Sequence, residues 1–227
     1  MDKTRFERRR FLARALGAVG TLGLAGCERL SHTEWFPKVL GAGETASAAV
    51  ARAVTSRTSM AQEFAESDRS PTFRSNGTAE PNSDLYRALA ANAFADYRLR
   101  VDGLVAQPAS LSLAELRALP SRTQITRHDC VEGWSASATW TGVRLRDLLD
   151  RVGAPADATV RITSLQRRGP FRVSEMASTY ARDDLTLLAL RVNGEVLAPD
   201  HGYPARIIAP NRPGVLQTKW VNQLEAL

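Results

Sequence analysis

The spacing of apolar residues changes several times along the chain after Pro71. In SDLYRALAANAF (83–94), Leu85, Leu89 and Phe94 recur at helical spacing behind a capping side chain, Ser83 or Asp84. YRLRVDGLV then alternates Tyr97, Leu99 and Val101 with charged residues, the period of a strand, and Asp102-Gly103 supplies a turn. SLSLAELRALP predicts a short helix with Ser112 as cap, Glu115 three positions on and Pro120 closing it. TQITRHDC reads as a strand. WTGVRLRDLLDRVG reads as a turn, then a helix presenting Leu145, Leu148, Leu149 and Val152 on one face and ending at Gly153. ATVRITSL and ARIIAP are further strands, and DLTLLALRVNGEVL is a strand pair turning at Asn193-Gly194. TKWVNQLEAL predicts a last strand with Lys219 inside it.

These elements define a mixed α+β domain of short strands, hairpins and a few short helices. Strands and helices do not alternate regularly, and no phosphate-binding glycine motif is present, which argues against a doubly wound nucleotide fold. No internal repeat is found.

Upstream of Pro71 the texture differs. Residues 28–70 are rich in Ala, Ser, Thr and charge and poor in large apolar side chains, the composition of a tether. A helix from Ala46 to Phe64 would bring only Val50, Val54 and Phe64 to a core. Residues 1–27 read as a leader. Arg8, Arg9 and Arg10 precede Phe11 and Leu12, in the manner of a twin-arginine export signal, and a short apolar run ends in Leu24-Ala25-Gly26-Cys27, similar to a lipoprotein cleavage box. The run is shorter than the roughly 20 apolar residues a membrane span requires. The chain is therefore expected to divide into a leader (1–27), a tether (28–70) and one globular domain (71–227). Its expected place is the periplasm or the outer face of the cytoplasmic membrane, with a lipid anchor on Cys27.

The charge supports this division. Of the formal net charge of +6, residues 1–26 carry +4, so the high isoelectric point belongs largely to the leader and gives little support to a nucleic-acid partner. The chain has two cysteines, and if Cys27 carries a lipid then Cys130 has no disulfide partner. A lone thiol in an oxidising compartment needs burial or a bound group.

Two constellations bear chemistry. His128 and Cys130 stand at i and i+2 on one face of a predicted strand, within RHDCVEGWS. With three histidines in the chain and no second nearby ligand pair, a zinc site is disfavoured, and the i, i+2 geometry disfavours a Cys-His nucleophile pair. The second constellation, HGYPARIIAPNRPGVLQTKW, places His201, Arg206 and Lys219 among Gly- and Pro-rich loops and resembles an anion cradle.

CVEGWS followed by WTGVRLRDLL, then HGYPARIIAPNRPGVLQTKWV, resembles the molybdopterin-binding domain of the sulfite oxidase family from about Phe73 onward, in particular its short periplasmic methionine sulfoxide reductase branch. The resemblance implies a molybdenum-molybdopterin (Mo) cofactor with Cys130 as metal ligand and catalytic centre. It further implies cofactor contacts from Phe73 and Asn76 in FRSNG, from Ser164, from His201 and Arg206, and from Gln217, Thr218 and Lys219. Trp134 and Trp140 are expected to pack around the pocket, with Glu132 either a supporting contact or an ordinary surface acid. The implied chemistry is oxygen-atom transfer to or from a small-molecule or methionine sulfoxide-type substrate. No haem-attachment motif is present, so the implied electron partner is a separate membrane b-type cytochrome or other redox protein, and a monomer is expected. Val131 to Trp134 look like the sulfoxide reductase branch. Lys219-Trp220 looks like the sulfite oxidase side, and Arg167, Arg168 and Arg172 are candidate anion binders. Sulfite dehydrogenase is accordingly the alternative activity, and a cofactor-free lipoprotein binding module is the alternative of another class.

Overall fold

The computed structural model describes residues 61–227 without a break, together with Thr33, Trp35, Ala42, Gly43, Ala46, Ser47 and Val50 upstream. The chain divides into two compact units, Met1–Ser56 and Arg57–Leu227. The leader read from residues 1–27 lies outside the described residues, as does most of the tether. Among the described residues no helix is long and apolar enough to cross a membrane.

In chain order the second unit contains α1 (Asp84–Ala91), β1 (Leu99–Gly103), β2 (Ala109–Leu111), α2 (Leu113–Ala118), β3 (Arg122–Cys130), β4 (Trp134–Arg144), α3 (Leu145–Arg151), β5 (Val160–Ser164), β6 (Val173–Met176), α4 (Ser178–Ala181), β7 (Leu187–Val192), β8 (Glu195–Val196), β9 (Arg206–Ile208) and β10 (Val221–Ala226). One sheet runs β2-β1-β10-β5-β6, with β1 and β10 parallel and the other pairs antiparallel. The other runs β3-β4-β7-β8 and is antiparallel throughout, with β9 also on β7. This is the expected α+β arrangement.

Local sequence explains most elements. Ser83 caps α1 by accepting from the Tyr86 amide. Ser112 and Glu115 close a reciprocal capping box on α2. Asn193 and Gly194 both take positive φ, as the tight β7–β8 hairpin requires. Alternation along β1 buries Leu99 and Val101, and these pack with Val160, Ile162 and Leu224 of the same sheet against Leu116 of α2 and Leu145, Leu148 and Leu149 of α3. Removing each such side chain from water contributes roughly 1.5–3 kcal/mol. A second cluster, Phe73, Ala136, Ala138, Trp140, Leu187, Ala189 and Ile208, lies on the other sheet. The small residues of β4 leave room for the Phe73 ring, which meets Trp140 edge-on at 5.0 Å.

Several expectations are corrected. Leu85 is 55% exposed; α1 turns Tyr86 and Leu89 inward instead. The turn read from WTGVR is strand, because β4 continues to Arg144. Gly142 marks a register shift there, and a Cβ at that position would lie 2.1 Å from the Leu188 carbonyl oxygen, so the glycine serves close strand approach. The last strand begins at Val221, leaving Lys219 in the bend before it. No helix reaches Phe64, since residues 62–65 are irregular. Residues 61–70, read as tether, already hydrogen-bond to the sheet: the Phe64 amide donates to Ile125 and the Ser70 amide to Ser137.

Candidate cofactor site

The segment Phe73–Thr78 forms a strap held by long-range bonds. The His201 ring nitrogen Nε2 lies 3.0 Å from the Phe73 carbonyl, and the Ser75 hydroxyl donates to the Asp200 carbonyl at 2.8 Å. Lys219 Nζ donates to the carbonyls of Asn76 and Asp200 at 2.8 Å each, and also to that of Thr78. Gly77 adopts φ +59, a conformation glycine enters without strain.

Facing the strap is the turn between β3 and β4. Cys130 ends β3 as a free, half-buried thiol. Glu132 in the turn accepts from the Gly77 amide through Oε1 and from the Trp134 indole N–H through Oε2, both at 2.9 Å. The Trp134 and Gly77 bonds hold its carboxyl below the usual range. The Trp134 ring stacks on His128 with centroids 5.6 Å apart, and the Arg74 guanidinium sits 4.7 Å above it.

Behind the strap lie buried cations. Arg206 begins β9 with no exposed surface. Its Nη1 donates to the His201 carbonyl at 3.0 Å and Nη2 approaches Asn76 Oδ1 at 3.5 Å, while Nε has no partner. Burial lowers its pKa to about 10, and the nearby Cys130 opposes that shift. Burial and then the Arg206 charge bring Lys219 down to about 8 and His128 down to about 4. Cys130, His128, Arg206 and Lys219 therefore share one electrostatic neighbourhood. Neutral His128 directs Nδ1 at Gln217 Oε1, 3.3 Å away, and its Nε2 packs unpartnered against Gly214.

A cleft of about 340 Å³ opens between the strap, the Cys130 turn and the segments 166–171 and 214–220. Of the residues expected at a cofactor, Asn76, Gln217, Thr218 and Lys219 line it directly. Cys130 precedes the lining residue Val131, Phe73 begins the strap, and His201 and Arg206 bond to the strap from behind. Ser164 acts from beneath, its hydroxyl donating to the Lys219 carbonyl at 2.8 Å. The Gln217 amide turns inward to the Ala209 and Arg212 carbonyls, and Thr218 meets Ser174 at 2.9 Å. Trp140 packs in the cluster below, with Arg206 5.2 Å from its ring centroid. Gly77, Thr78, Pro170 and Val215 also line the cleft; Thr78 adds a hydroxyl there, and no motif in the sequence singles these residues out.

A small α+β domain with a lone thiol beside buried cations and a cleft is the architecture of a cofactor-binding oxidoreductase module. Residues 87–227 match the model of the oxidoreductase molybdopterin binding domain, and the chain belongs to that family, whose cofactor is molybdenum-molybdopterin. A subunit from Azospira oryzae named for protein-methionine-sulfoxide reduction, YedZ1, is 34% identical over 63% of this chain and 58% of its own length. Sulfite oxidase of Arabidopsis thaliana is 28% identical over 58% of this chain and 42% of its own. Among solved structures, the sulfane dehydrogenase SoxCD from Paracoccus pantotrophus superposes with a TM-score of 0.53 at 26% identity, covering 58% of this chain and 38% of that one. The chain spans about half the length of these curated relatives.

Proposed function

We propose that this chain is a molybdenum oxidoreductase in which Cys130 is the protein ligand and catalytic centre and the adjoining cleft receives the pterin. One observation carries the reading: the free, half-buried Cys130 thiol shares its surroundings with a fully buried guanidinium, Arg206, whose Nε has no partner. The donor set fits the cofactor. A soft thiolate suits a metal whose other ligands are largely sulfur. Among the described residues no three His, Cys, Asp or Glu converge as an all-protein metal site. Arg206 and Lys219 bring positive charge to where an anionic pterin phosphate would lie. Asn76, Gln217 and Thr218 line the cleft wall, while Phe73, Ser164 and His201 hold the strap and the Lys219 segment in position.

When bound, the cofactor supplies two-electron redox chemistry with transfer of an oxygen atom. The chain's own residues orient it and shape access. Val131, Pro170, Phe171 and Val215 give the cleft an apolar rim, which suits the methyl and methylene carbons flanking a sulfoxide, and the relatives named for methionine sulfoxide reduction support this substrate class. A second reading, oxidation of sulfite, is favoured by the exposed Arg167, Arg168 and Arg172, which flank the rim residues Gly169–Phe171. Electrons would cross to or from a separate redox protein, a membrane b-type cytochrome. Arg8-Arg9 would direct export to the periplasm and Cys27 would carry a lipid anchor.

The test is molybdenum per chain in wild type and Cys130→Ser, each expressed with the leader and a cofactor supply. Stoichiometric metal in the first and none in the second supports the reading; a metal-free wild type overturns it. Reduction of methionine sulfoxide without oxidation of sulfite, assayed with artificial electron carriers, selects the sulfoxide branch, and the reverse selects the sulfite branch.

A further inference from the structure

We infer that Glu132 is a positioning residue that latches the strap across the cleft and slows escape of the bound cofactor. The second half of this inference rests on the cofactor reading above. The bonds from His201, Ser75, Arg206 and Lys219 all tie the strap to the 200–219 side of the cleft. Glu132 ties it to the opposite wall, the turn that follows Cys130. One carboxylate bridges two donors that share no element: the strap's Gly77 amide, 55 positions away, and the Trp134 indole at the start of β4. The same indole is held on its face by Arg74 of the strap. Trp134 is thus gripped at its edge by the turn and on its face by the strap, and it stacks on His128 beneath.

This placement separates Glu132 from an ordinary surface acid. A solvated carboxylate gains little from a fixed geometry, whereas this one satisfies two N–H groups at 2.9 Å that have no other hydrogen-bond partner shown. Asn76, Gly77 and Thr78 on one side and Val131 on the other line the cleft, so the Glu132–Gly77 bond spans its opening. Without that bond the strap keeps only the ring contacts of Phe73 and Arg74 on that wall, both at its start, and the mouth widens between Gly77 and Val131. The carboxylate is exposed, so the latch opens to water without an apolar barrier.

Hydrogen–deuterium exchange and metal release decide the matter. In Glu132→Ala the 73–78 amides should exchange about 3- to 10-fold faster than in wild type, as expected for losing one or two net hydrogen bonds. Amides of β5 and β10 should be unchanged, and molybdenum should leave the diluted holoenzyme faster by a similar factor. Trp134→Phe keeps an aromatic ring and removes the indole N–H donor, and should move both readouts in the same direction by less. Strap exchange equal to wild type in both variants overturns the latch. Faster exchange with an unchanged rate of molybdenum loss overturns its part in retention. A wild type without molybdenum overturns the cofactor reading instead, and strap exchange in the cofactor-free chain then still decides the latch.

Discussion

The Lys219 ammonium donates to the backbone carbonyl of Asn76 at 2.8 Å, across 143 positions of sequence. Thr78 and Asp200 take its other two donors. A side chain expected to meet an anion is committed to three backbone dipoles, and its charge reaches the cleft from behind them. Lys219→Met keeps the length and removes all three bonds. Stability should fall by about 2 kcal/mol or more, because several part-buried carbonyls lose a charged donor at once. Urea unfolding of the cofactor-free protein at neutral pH measures this.

Arg206 presents the opposite balance. It is fully buried, two of its nitrogens reach neutral oxygens only, and Nε reaches nothing. An ion desolvated without a counter-charge costs stability until a ligand anion arrives. Arg206→Met should leave the cofactor-free chain as stable as wild type, or more stable by about 1–2 kcal/mol, while molybdenum content collapses. A matched loss of stability and metal would instead assign Arg206 a purely structural role. Unfolding curves and metal analysis on the same preparations separate the two.

His128 makes a pH limb. Burial, then the Arg206 charge, lowers its pKa to about 4, from 6.5 in the unfolded chain. Between these values the unfolded state binds the extra proton, so the stabilising difference is fully present above pH 6.5 and is lost as pH falls to about 4. The loss is on the order of 3 kcal/mol if the whole shift is realised. His128→Leu should remove most of that slope. Urea midpoints between pH 4 and 7 report it.

Gly142→Ala tests the closest approach between β4 and β7. The added carbon would fall 2.1 Å from the Leu188 carbonyl oxygen and 2.6 Å from the Ala189 Cα, both backbone atoms with little freedom to move. A cost of about 3 kcal/mol or more is expected. Thermal unfolding should show it with no change in the titration behaviour of the site.

Gly142 also shows where sequence reading stops. Its neighbours WTGVR look like a turn because glycine punctuates turns, yet the reason for this glycine is a strand 46 positions away. The caps at Ser83 and Ser112 and the Asn193-Gly194 hairpin were legible because each is settled within four residues. Strands β2 and β6, three and four residues long, are too short for alternation to register. Tyr86 and Leu89, three positions apart on one helical face, take the core side of α1 and leave Leu85 outside. At the site, the residue types at Cys130, Arg206, Gln217 and Lys219 were visible through family resemblance. Their partners were not. Lys219 holding Asn76 and Glu132 holding Gly77 are non-local bonds, and nothing periodic in the chain announces them.

Strand β10 lies between β1 and β5 in its sheet. Val221–Ala226 therefore fills the middle of a sheet whose other members are encoded far earlier, and β1 meets it in parallel. As the ribosome delivers the chain, β1 and β5 wait with their inner edges unpaired until this segment emerges. The sheet therefore cannot close around its centre without Val221–Ala226, so its formation waits on pairing between segments far apart in the sequence.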